Sequence, residues 1–298
     1  METRRMGNTD LDVGVLGFGA AEIGYEGASE DTVRTLLNEA LDAGLNVIDT
    51  AECYVNSEEL IGNTVSERRD EFHLFTKCGH PDGMGSEDWS KDSILKSVER
   101  SLKRLRTDHV DLVLLHSCPE AVLRKGEATE ALQEARDRGH TRYIGYSGDS
   151  TAALYAIDCG AFDVLETSVS IADQESIELI LPSAVDRNLG VIVKRPIANA
   201  AWKTRKRPGN SYHHIYWERL EKLDYDFLQG DLSASVGTAL KFTLGVPGVH
   251  TLIVGTKRPG RWAENARFIE GGPLPSMDVD AIRMRWKDVA PDSWIGQQ

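Results

Sequence analysis

The stretch Val110-Asp-Leu-Val-Leu-Leu-His116 is a short apolar run that ends on a histidine. Two earlier stretches have the same form, Asn46-Val-Ile-Asp49 and Phe72-His-Leu-Phe-Thr-Lys77. Runs of this length, bounded by helical patterns, indicate buried parallel strands. In a barrel of alternating strands and helices the strands end on one rim, so the polar residues that close these three runs are expected to meet there.

Strand-like runs of this kind alternate with helical patterns along the chain. Eight runs end near Phe18, Ile48, Thr76, Leu115, Tyr146, Leu165, Val193 and Val254. Most intervals between them are about 20 to 40 residues, which is the length of one strand-loop-helix-loop unit. Eight such units favour a closed (β/α)8 barrel, a TIM barrel, over an open sheet.

Both ends of the chain add elements to this barrel. Residues 1–13 are expected to form a short N-terminal β-hairpin that caps the bottom of the barrel. The long interval after the seventh strand contains two helical patterns, at 213–228 and 232–244, and a last helix is expected over 277–289. No linker interrupts the sequence, so residues 1–298 are expected to form a single barrel domain with extra helices near the C-terminus.

Composition narrows the range of partners. The net charge of −13 argues against nucleic acid or an anionic membrane as the main partner. No apolar run approaches the ~18 residues of a membrane span, and the N-terminal residues do not resemble a secretory signal, so a cytoplasmic location is expected.

The four cysteines suggest no disulfide framework. Cys78-x-His80 and His116-x-Cys118 match no zinc pattern, and no metal is expected.

Four polar residues at the expected rim are suited to proton transfer. The phenol of Tyr54 has an ordinary pKa near ~10, and a neighbouring cation makes a phenol more acidic. Lys77 can supply that charge, and Asp49 can pair with the buried ammonium group. His116 is placed to orient a carbonyl oxygen by hydrogen bonding. The residues therefore predict that Tyr54 acts as a general acid in carbonyl reduction and as the base in the reverse direction.

The sequence around these residues resembles the aldo-keto reductase family. The matching segments are Asp49-Thr-Ala-Glu-Cys-Tyr54 with Ser57-Glu58, Thr76-Lys77 and Leu115-His116, and the resemblance covers nearly the whole chain. It implies an NADP(H)-dependent enzyme that reduces a small aldehyde or ketone to an alcohol. It also implies four catalytic residues: Asp49, Tyr54, Lys77 and His116. Hydride delivery would belong to the nicotinamide cofactor.

The segment from Ile253 to Asn265 follows the eighth strand, opens a helix and carries positive charge. Backbone N–H groups, the positive helix end and arginine side chains suit phosphate. The resemblance assigns the 2′-phosphate and the adenine of the cofactor to Thr256, Lys257, Arg261, Glu264 and Asn265. The first three would hold the phosphate and the last two the adenine. The family's frequent lysine is Gly255 here, so Lys257 or Arg258 must compensate, and we expect NADP(H) rather than NAD(H).

At the nicotinamide end the resemblance is weaker. Ser147 corresponds to the family serine that holds the carboxamide, but the asparagine that usually follows is Gly148. The usual glutamine on the sixth strand is Glu166. An ionised carboxylate can accept a hydrogen bond from the carboxamide but cannot donate one. Asp149 could take the vacant place, or the ring could be held mainly by stacking.

Further residues are expected near the ring and the substrate. Three residues after the seventh strand occupy the family's ring-packing position: Lys194, Arg195 and Pro196. Gly19 is expected to let the backbone pass close to the substrate and the ring, since the glycines after the first strand lack the G-x-G-x-x-G spacing of a dinucleotide fingerprint. Trp89 and Trp294 are candidate apolar walls of the carbonyl pocket.

Two other functions remain open at this point. The departures at Gly148 and Glu166 are compatible with a nicotinamide-binding regulatory protein that has little turnover. Alternatively, Lys77 at a strand end could form a Schiff base, as lysines do in class I aldolases, and the protein would be a lyase. Borohydride trapping of a substrate on Lys77 would favour the lyase, whereas nicotinamide oxidation in step with carbonyl loss would favour the reductase.

Overall fold

Eight parallel strands close into a barrel in the computed structural model, which describes residues 1–297. A separate antiparallel hairpin precedes them and consists of β1 (Thr3–Arg5) and β2 (Asp12–Gly14). The barrel strands are β3 (Leu16–Gly19), β4 (Val47–Asp49), β5 (His73–Cys78), β6 (Val110–His116), β7 (Thr141–Ser147), β8 (Val164–Ser168), β9 (Gly190–Lys194) and β10 (Thr251–Val254). Each of β3 to β9 pairs with the next strand, and β10 closes the ring between β9 and β3. The strands lie where the apolar runs predicted them, so the (β/α)8 barrel is confirmed.

The strands are apolar along their length because they are covered on both faces. Every residue of β4, β6, β8 and β9 is buried, with helices outside the barrel and side chains inside it. The hairpin of β1 and β2 closes the bottom, where Met6 and Leu11 are fully buried and belong to one cluster with Phe75 and Leu112 from the barrel interior. The predicted hairpin cap is therefore confirmed.

Helices surround the barrel and extend it at the C-terminus. They are α1 (Ala21–Tyr25), α2 (Glu30–Asp42), α3 (Ser57–Val65), α4 (Lys91–Leu105), α5 (Glu120–Leu123), α6 (Glu127–Asp137), α7 (Ser150–Asp158), α8 (Glu175–Leu179), α9 (Leu181–Asp186), α10 (His214–Leu223), α11 (Leu232–Leu244), α12 (Arg261–Phe268) and α13 (Ser276–Val289). Short 3-10 helices span Ser66–Glu71, Ala198–Lys203, Ser211–His213 and Asp226–Gln229. Within residues 1–297, no helix is both long and apolar enough to cross a bilayer.

The extra helices near the C-terminus are present, with one difference. The pattern over 213–228 predicted one helix, but α10 ends at Leu223 because Asp224 has a left-handed backbone, with φ at 43°. A 3-10 helix follows over Asp226–Gln229. The patterns over 232–244 and 277–289 correspond to α11 and α13. A short polar residue tolerates the left-handed conformation better than most others, and this turn redirects the chain towards α11.

Candidate active site

The C-terminal rim of the barrel brings together the four polar residues that the sequence singled out. Asp49, Lys77 and His116 are the last or nearly the last residues of β4, β5 and β6, and Tyr54 lies in the turn between β4 and α3. Lys77 is fully buried, and its ammonium group donates hydrogen bonds to Asp49 Oδ1 and, over 3.1 Å, to the carbonyl oxygen of Thr50. The expected pairing of Lys77 with Asp49 is thus present.

Tyr54 is partly buried and lies next to this pair at the mouth of the barrel. The centroid of its ring is 5.5 Å from Lys77 Nζ and 5.7 Å from the centroid of the His116 ring, which it meets edge-on. The turn that carries Tyr54 fits closely against α1, because a Cβ atom at Gly24 would lie 2.0 Å from the Tyr54 carbonyl oxygen. The phenol, the ammonium and the imidazole therefore share one site.

Glu166 enters the same site from β8, on the far side of the barrel. Its Oε2 atom lies 3.3 Å from Lys77 Nζ, and its Oε1 atom accepts a 3.2 Å hydrogen bond from Ser147 Oγ. Only 1% of Glu166 is exposed. The buried ammonium of Lys77 is thus placed between two carboxyl groups. The sequence predicted the contact with Asp49 but not the contact with Glu166.

These charges change the acidity of each member of the site. Burial and the nearby Glu166 hold the pKa of Asp49 well above its usual range. Burial alone would lower the pKa of Lys77, but the carboxyl groups of Asp49 and Glu166 outweigh it and the pKa is raised. Burial, followed by Asp49 and Glu166, also raises the pKa of Tyr54 well above its ordinary value. The expected acidification of Tyr54 by Lys77 is therefore offset here by two carboxyl groups.

His116 is a neutral imidazole in this environment. Burial, followed by the positive charges of Lys77 and Lys194, holds its pKa well below the ordinary value. Its Nδ1 atom lies 3.4 Å from Cys53 Sγ, and its carbonyl oxygen accepts a 2.8 Å hydrogen bond from His80 Nε2. The ring is fixed beside Tyr54, so it can hydrogen-bond to a carbonyl oxygen without competing as a cationic acid.

A cavity of about 350 Å³ opens at Ser117, directly after β6. Its lining residues are His80, Met84, Gly85, Glu87, Ser117, Cys118, Pro119, Tyr146, Gly148, Asp149 and Ala152. The ring of Trp89 packs edge-on against that of the lining residue His80, with 5.5 Å between the ring centroids. Trp294 instead packs against Trp286, at 5.4 Å between ring centroids, and belongs to a cluster with α10 and α13. Of the two tryptophans, Trp294 is a packing anchor.

The segment after β10 places its cations around the N-terminus of α12. Lys257 pairs with Glu26 at 3.0 Å, and Arg261 pairs with Glu264 at 2.9 Å. Arg258 pairs with the same Glu264 carboxylate. Thr256 Oγ1 accepts a 3.0 Å hydrogen bond from the backbone N–H of Arg258. Asn265, in contrast, is buried with 3% exposure.

Close packing against Glu22 explains why position 255 is a glycine in this chain. A Cβ atom there would lie 1.4 Å from Glu22 Oε2, so no side chain fits while Glu22 occupies this position. Burial raises the pKa of Glu22 to about 7. Glu22 was not singled out from the sequence, because α1 is short and only the folded chain brings it against the segment after β10.

A model of the aldo/keto reductase family matches residues 15–287, which covers the barrel from just before β3 through most of α13. The chain belongs to the aldo/keto reductase family. Enzymes of this family typically use NAD(P)H and act on small carbonyl substrates, so this aldo/keto reductase is an oxidoreductase of the NAD(P)-dependent type.

Solved and curated relatives agree with this assignment. This chain is similar in structure to the holo form of aldo-keto reductase AKR11C1 from Bacillus halodurans, with a TM-score of 0.82 and 27% sequence identity. The match covers 98% of this chain and 99% of that chain. Aldo-keto reductase YhdN of Bacillus subtilis is 30% identical over 95% of this chain and 92% of its own. L-galactose dehydrogenase of Arabidopsis thaliana is 32% identical over 66% of each chain.

The phosphate end of this aldo/keto reductase fits a phosphorylated cofactor. Three cations, Lys257, Arg258 and Arg261, lie in the segment that leads into the first turn of α12. The N-terminus of a helix attracts anions, although the Arg261 N–H already donates to the carbonyl oxygen of Arg258 over 3.2 Å. Their carboxylate partners, Glu26 and Glu264, are at the surface, where an ion pair is worth only about 0–1 kcal/mol. A doubly charged phosphate can therefore displace these pairs.

The nicotinamide end fits a carboxamide through Ser147 and Glu166, which are neighbours on β7 and β8. The family's asparagine position cannot carry a side chain here, since a Cβ atom at Gly148 would lie 2.5 Å from Tyr146 Oη. Asp149 does not take its place. Its carboxylate accepts hydrogen bonds from Thr167 Oγ1 at 2.8 Å and from the backbone N–H of Ser168 at 2.7 Å.

Lys194 and Arg195, at the ring-packing position after β9, also form contacts with other residues of the protein. Lys194 lies 3.2 Å from Asp149 Oδ2. Arg195 donates hydrogen bonds to Ser168 Oγ and Tyr212 Oη, both at 2.8 Å, and to the carbonyl oxygen of Gln297. Pro196 is buried, and a Cβ atom at Gly19 would make only ordinary contacts, the closest at 3.7 Å to the Gly255 nitrogen. The C-terminal tail thus reaches this side of the rim.

Proposed function

We propose that this aldo/keto reductase reduces an aldehyde or ketone to an alcohol with NADPH, with Tyr54 as the general acid. The observation that carries the proposal is the arrangement at the rim of the barrel. A phenol lies at the mouth, with the neutral imidazole of His116 and the buried ammonium of Lys77 both within 6 Å of its ring. The proposed catalytic set is Asp49, Tyr54, Lys77 and His116.

Each residue has a defined part in this proposal. The bound cofactor would supply the hydride. Tyr54 Oη would donate its proton to the carbonyl oxygen, and assistance of this kind contributes typically ~10²–10⁴-fold to the rate. His116 would orient the carbonyl oxygen by a hydrogen bond. Lys77 would provide the positive potential near the phenol, and Asp49 would hold the ammonium in place.

The proposed cofactor contacts fall into two groups on the rim, one for the phosphate and adenine end and one for the nicotinamide. Thr256, Lys257 and Arg261 would hold the 2′-phosphate at α12, and the three cations there support NADP(H) over NAD(H). Glu264 and Asn265 would contact the adenine. The nicotinamide would meet Ser147, Glu166, Lys194, Arg195, Pro196 and Gly19, as in the family pattern.

The cavity at Ser117 guides the choice of substrates, because Ser117 directly follows the proposed catalytic residue His116 in the chain. Polar groups of His80, Glu87 and Ser117 share its wall with the apolar Met84 and Pro119. Such a surface suits a small carbonyl compound that carries hydroxyl groups. One relative is an L-galactose dehydrogenase. We therefore include sugars and hydroxyaldehydes among the substrates to be tested.

The test is a fluorescence titration with NADPH, followed by a carbonyl panel in which NADPH consumption and product formation are both measured. Stoichiometric formation of an alcohol supports the proposal. Tight NADPH binding without turnover over the whole panel would contradict it and support a regulatory nicotinamide-binding protein. A borohydride-trapped substrate adduct on Lys77 would contradict it in favour of a Schiff-base lyase.

A further inference from the structure

Two buried oxygen atoms next to Lys77 have no hydrogen-bond donor among residues 1–297. They are Asp49 Oδ2 and Glu166 Oε2. The second lies 3.3 Å from Lys77 Nζ but without the alignment of a hydrogen bond, and the Lys77 donors go to Asp49 Oδ1 and to the Thr50 carbonyl. Both carboxyl groups therefore flank one ammonium, and each keeps an acceptor unused.

Charge balance makes this arrangement costly if both acids are ionised. Asp49, Lys77 and Glu166 have exposures of 1%, 0% and 1%. Two carboxylates and one ammonium would leave a net negative charge in a site from which water is excluded, and an uncompensated buried charge is strongly unfavourable. A proton placed between two carboxyl groups removes that charge and gives a donor to the acceptors that lack one.

We propose that Asp49 and Glu166 share one proton in the free enzyme, and that Glu166 is thereby a positioning residue that controls how strongly Lys77 promotes proton donation by Tyr54. The two acids form a dyad around the buried ammonium group of Lys77. The raised pKa of Asp49, caused by burial and then by Glu166, agrees with this geometry.

The other titratable groups that face the dyad do not supply the missing charge. His116, from β6, is neutral because its pKa is lowered. Burial raises the pKa of Cys53, in the turn after β4, to about 12, so it is an uncharged thiol. Lys194, from β9, is paired with Asp149. Ser147, from β7, is uncharged and donates a hydrogen bond to Glu166 Oε1 but not to Oε2.

The dyad has a kinetic consequence, which rests on the proposed function. While the proton is shared, Lys77 and the two acids sum to zero charge, and the ammonium next to Tyr54 favours proton donation. When the proton is lost at higher pH, the site becomes negative, the phenol holds its proton more tightly and reduction slows. A neutral side chain at position 166 would remove this ionisation.

Infrared spectroscopy tests the shared proton without any turnover. The wild-type protein should show the C=O stretching band of a protonated carboxyl group, and this band should be absent in Glu166→Gln and in Asp49→Asn alike. Asp173→Asn is the control, since burial raises the pKa of Asp173 to about 7 and it should contribute a band of its own. Its substitution should remove only that band.

A band that survives in Glu166→Gln would place the proton on Asp49 alone and would overturn the inference. A band that survives in Asp49→Asn would place the proton on Glu166 alone and would also overturn it. If Asp49→Asn does not fold, Glu166→Gln and the pH dependence of the wild-type band decide. The band must then vanish in the variant and convert to carboxylate absorption in the wild type as the pH rises.

The pH profile of carbonyl reduction tests the consequence. In Glu166→Gln the alkaline decline of kcat should move upward by roughly one pH unit or more, because the loss of the shared proton, which causes the decline in the wild type, can no longer occur. An unchanged decline would overturn the role of Glu166. Absence of turnover in the wild type would refute the proposed function instead, and the infrared result would stand independently of it.

Discussion

Replacing Lys77 by methionine tests the electrostatic design of the site. Methionine has a similar length but no charge, and the position is fully buried. The change leaves Asp49 and Glu166 facing each other without a cation, and removal of one partner from a buried ion pair costs about 3–5 kcal/mol. We expect a loss of this size in the free energy of unfolding of Lys77→Met at neutral pH.

The loss should depend on pH in a defined direction. Without the ammonium an ionised carboxyl group in this buried site is unfavourable, so the folded variant is expected to bind one proton more than the wild type, at pH values where carboxyl groups of the unfolded chain, with pKa values near ~4, are ionised. The pKa of Asp49 is raised by burial and then by Glu166, so the stabilising contribution of the protonated group is complete at low pH and is lost as the pH rises. If the variant takes up one proton more than the wild type on folding, the difference in stability grows by about 1.4 kcal/mol per pH unit.

Urea unfolding of both proteins at a series of pH values measures this difference. Between pH 5 and pH 7 it should increase by about 2.7 kcal/mol, which is two pH units for one proton. Lys96→Met is the control, because Lys96 forms an exposed pair with Asp92. It should leave the free energy of unfolding nearly unchanged at every pH. A loss in Lys77→Met that is constant or shrinks with rising pH would refute the reasoning.

Three further outcomes are expected. Arg261→Ala should weaken NADPH binding about 10- to 100-fold, because a hydrogen bond to a charged group is worth about 1.5–3 kcal/mol. The binding of NADH should change little. The control Arg267→Ala, on the same helix, should leave the binding of both cofactors unchanged in fluorescence titrations. Equal weakening of NADPH and NADH binding in Arg261→Ala would contradict the assignment. Gly148→Ala should lower stability by about 1–3 kcal/mol, because the added Cβ atom overlaps the neighbouring phenol. Gly209→Ala, in open space, should melt like the wild type, and equal melting of both variants would be inconsistent with this packing. The raised pKa of Tyr54, caused by burial and then by the two acids, should confine alcohol oxidation to alkaline pH while reduction proceeds at neutral pH; rate profiles in both directions check this, and oxidation that is fastest at acidic pH would oppose it.

The barrel could be predicted because its signal is local. Each strand of a parallel barrel is covered on both faces, and its apolar run is therefore continuous and ends where the rim begins. Asp49, Lys77 and His116 were visible for this reason. The helix predicted over 213–228 was wrong at Asp224, since periodicity does not show a single residue with a left-handed backbone.

The contact of Glu166 with Lys77 could not be predicted, because the two residues come from strands that are not neighbours. Glu166 on β8 reaches Lys77 on β5 only through the tilt and stagger of the closed barrel, which decide which side chains point inward at the same height. The contact of Arg195 with the backbone of Gln297 likewise joins segments about 100 residues apart. Sequence spacing carries no information on such contacts.

The most direct test of the central claim is the rate of carbonyl reduction by Tyr54→Phe, measured together with its affinity for NADPH. Tyr25→Phe is the matched control, because Tyr25 is a second phenol at the mouth, with its ring centroid 5.5 Å from that of Tyr54. The proposed role predicts that Tyr54→Phe loses about 10²–10⁴-fold in kcat with NADPH affinity nearly unchanged, while Tyr25→Phe keeps its rate. Turnover near the wild-type level in Tyr54→Phe would contradict it.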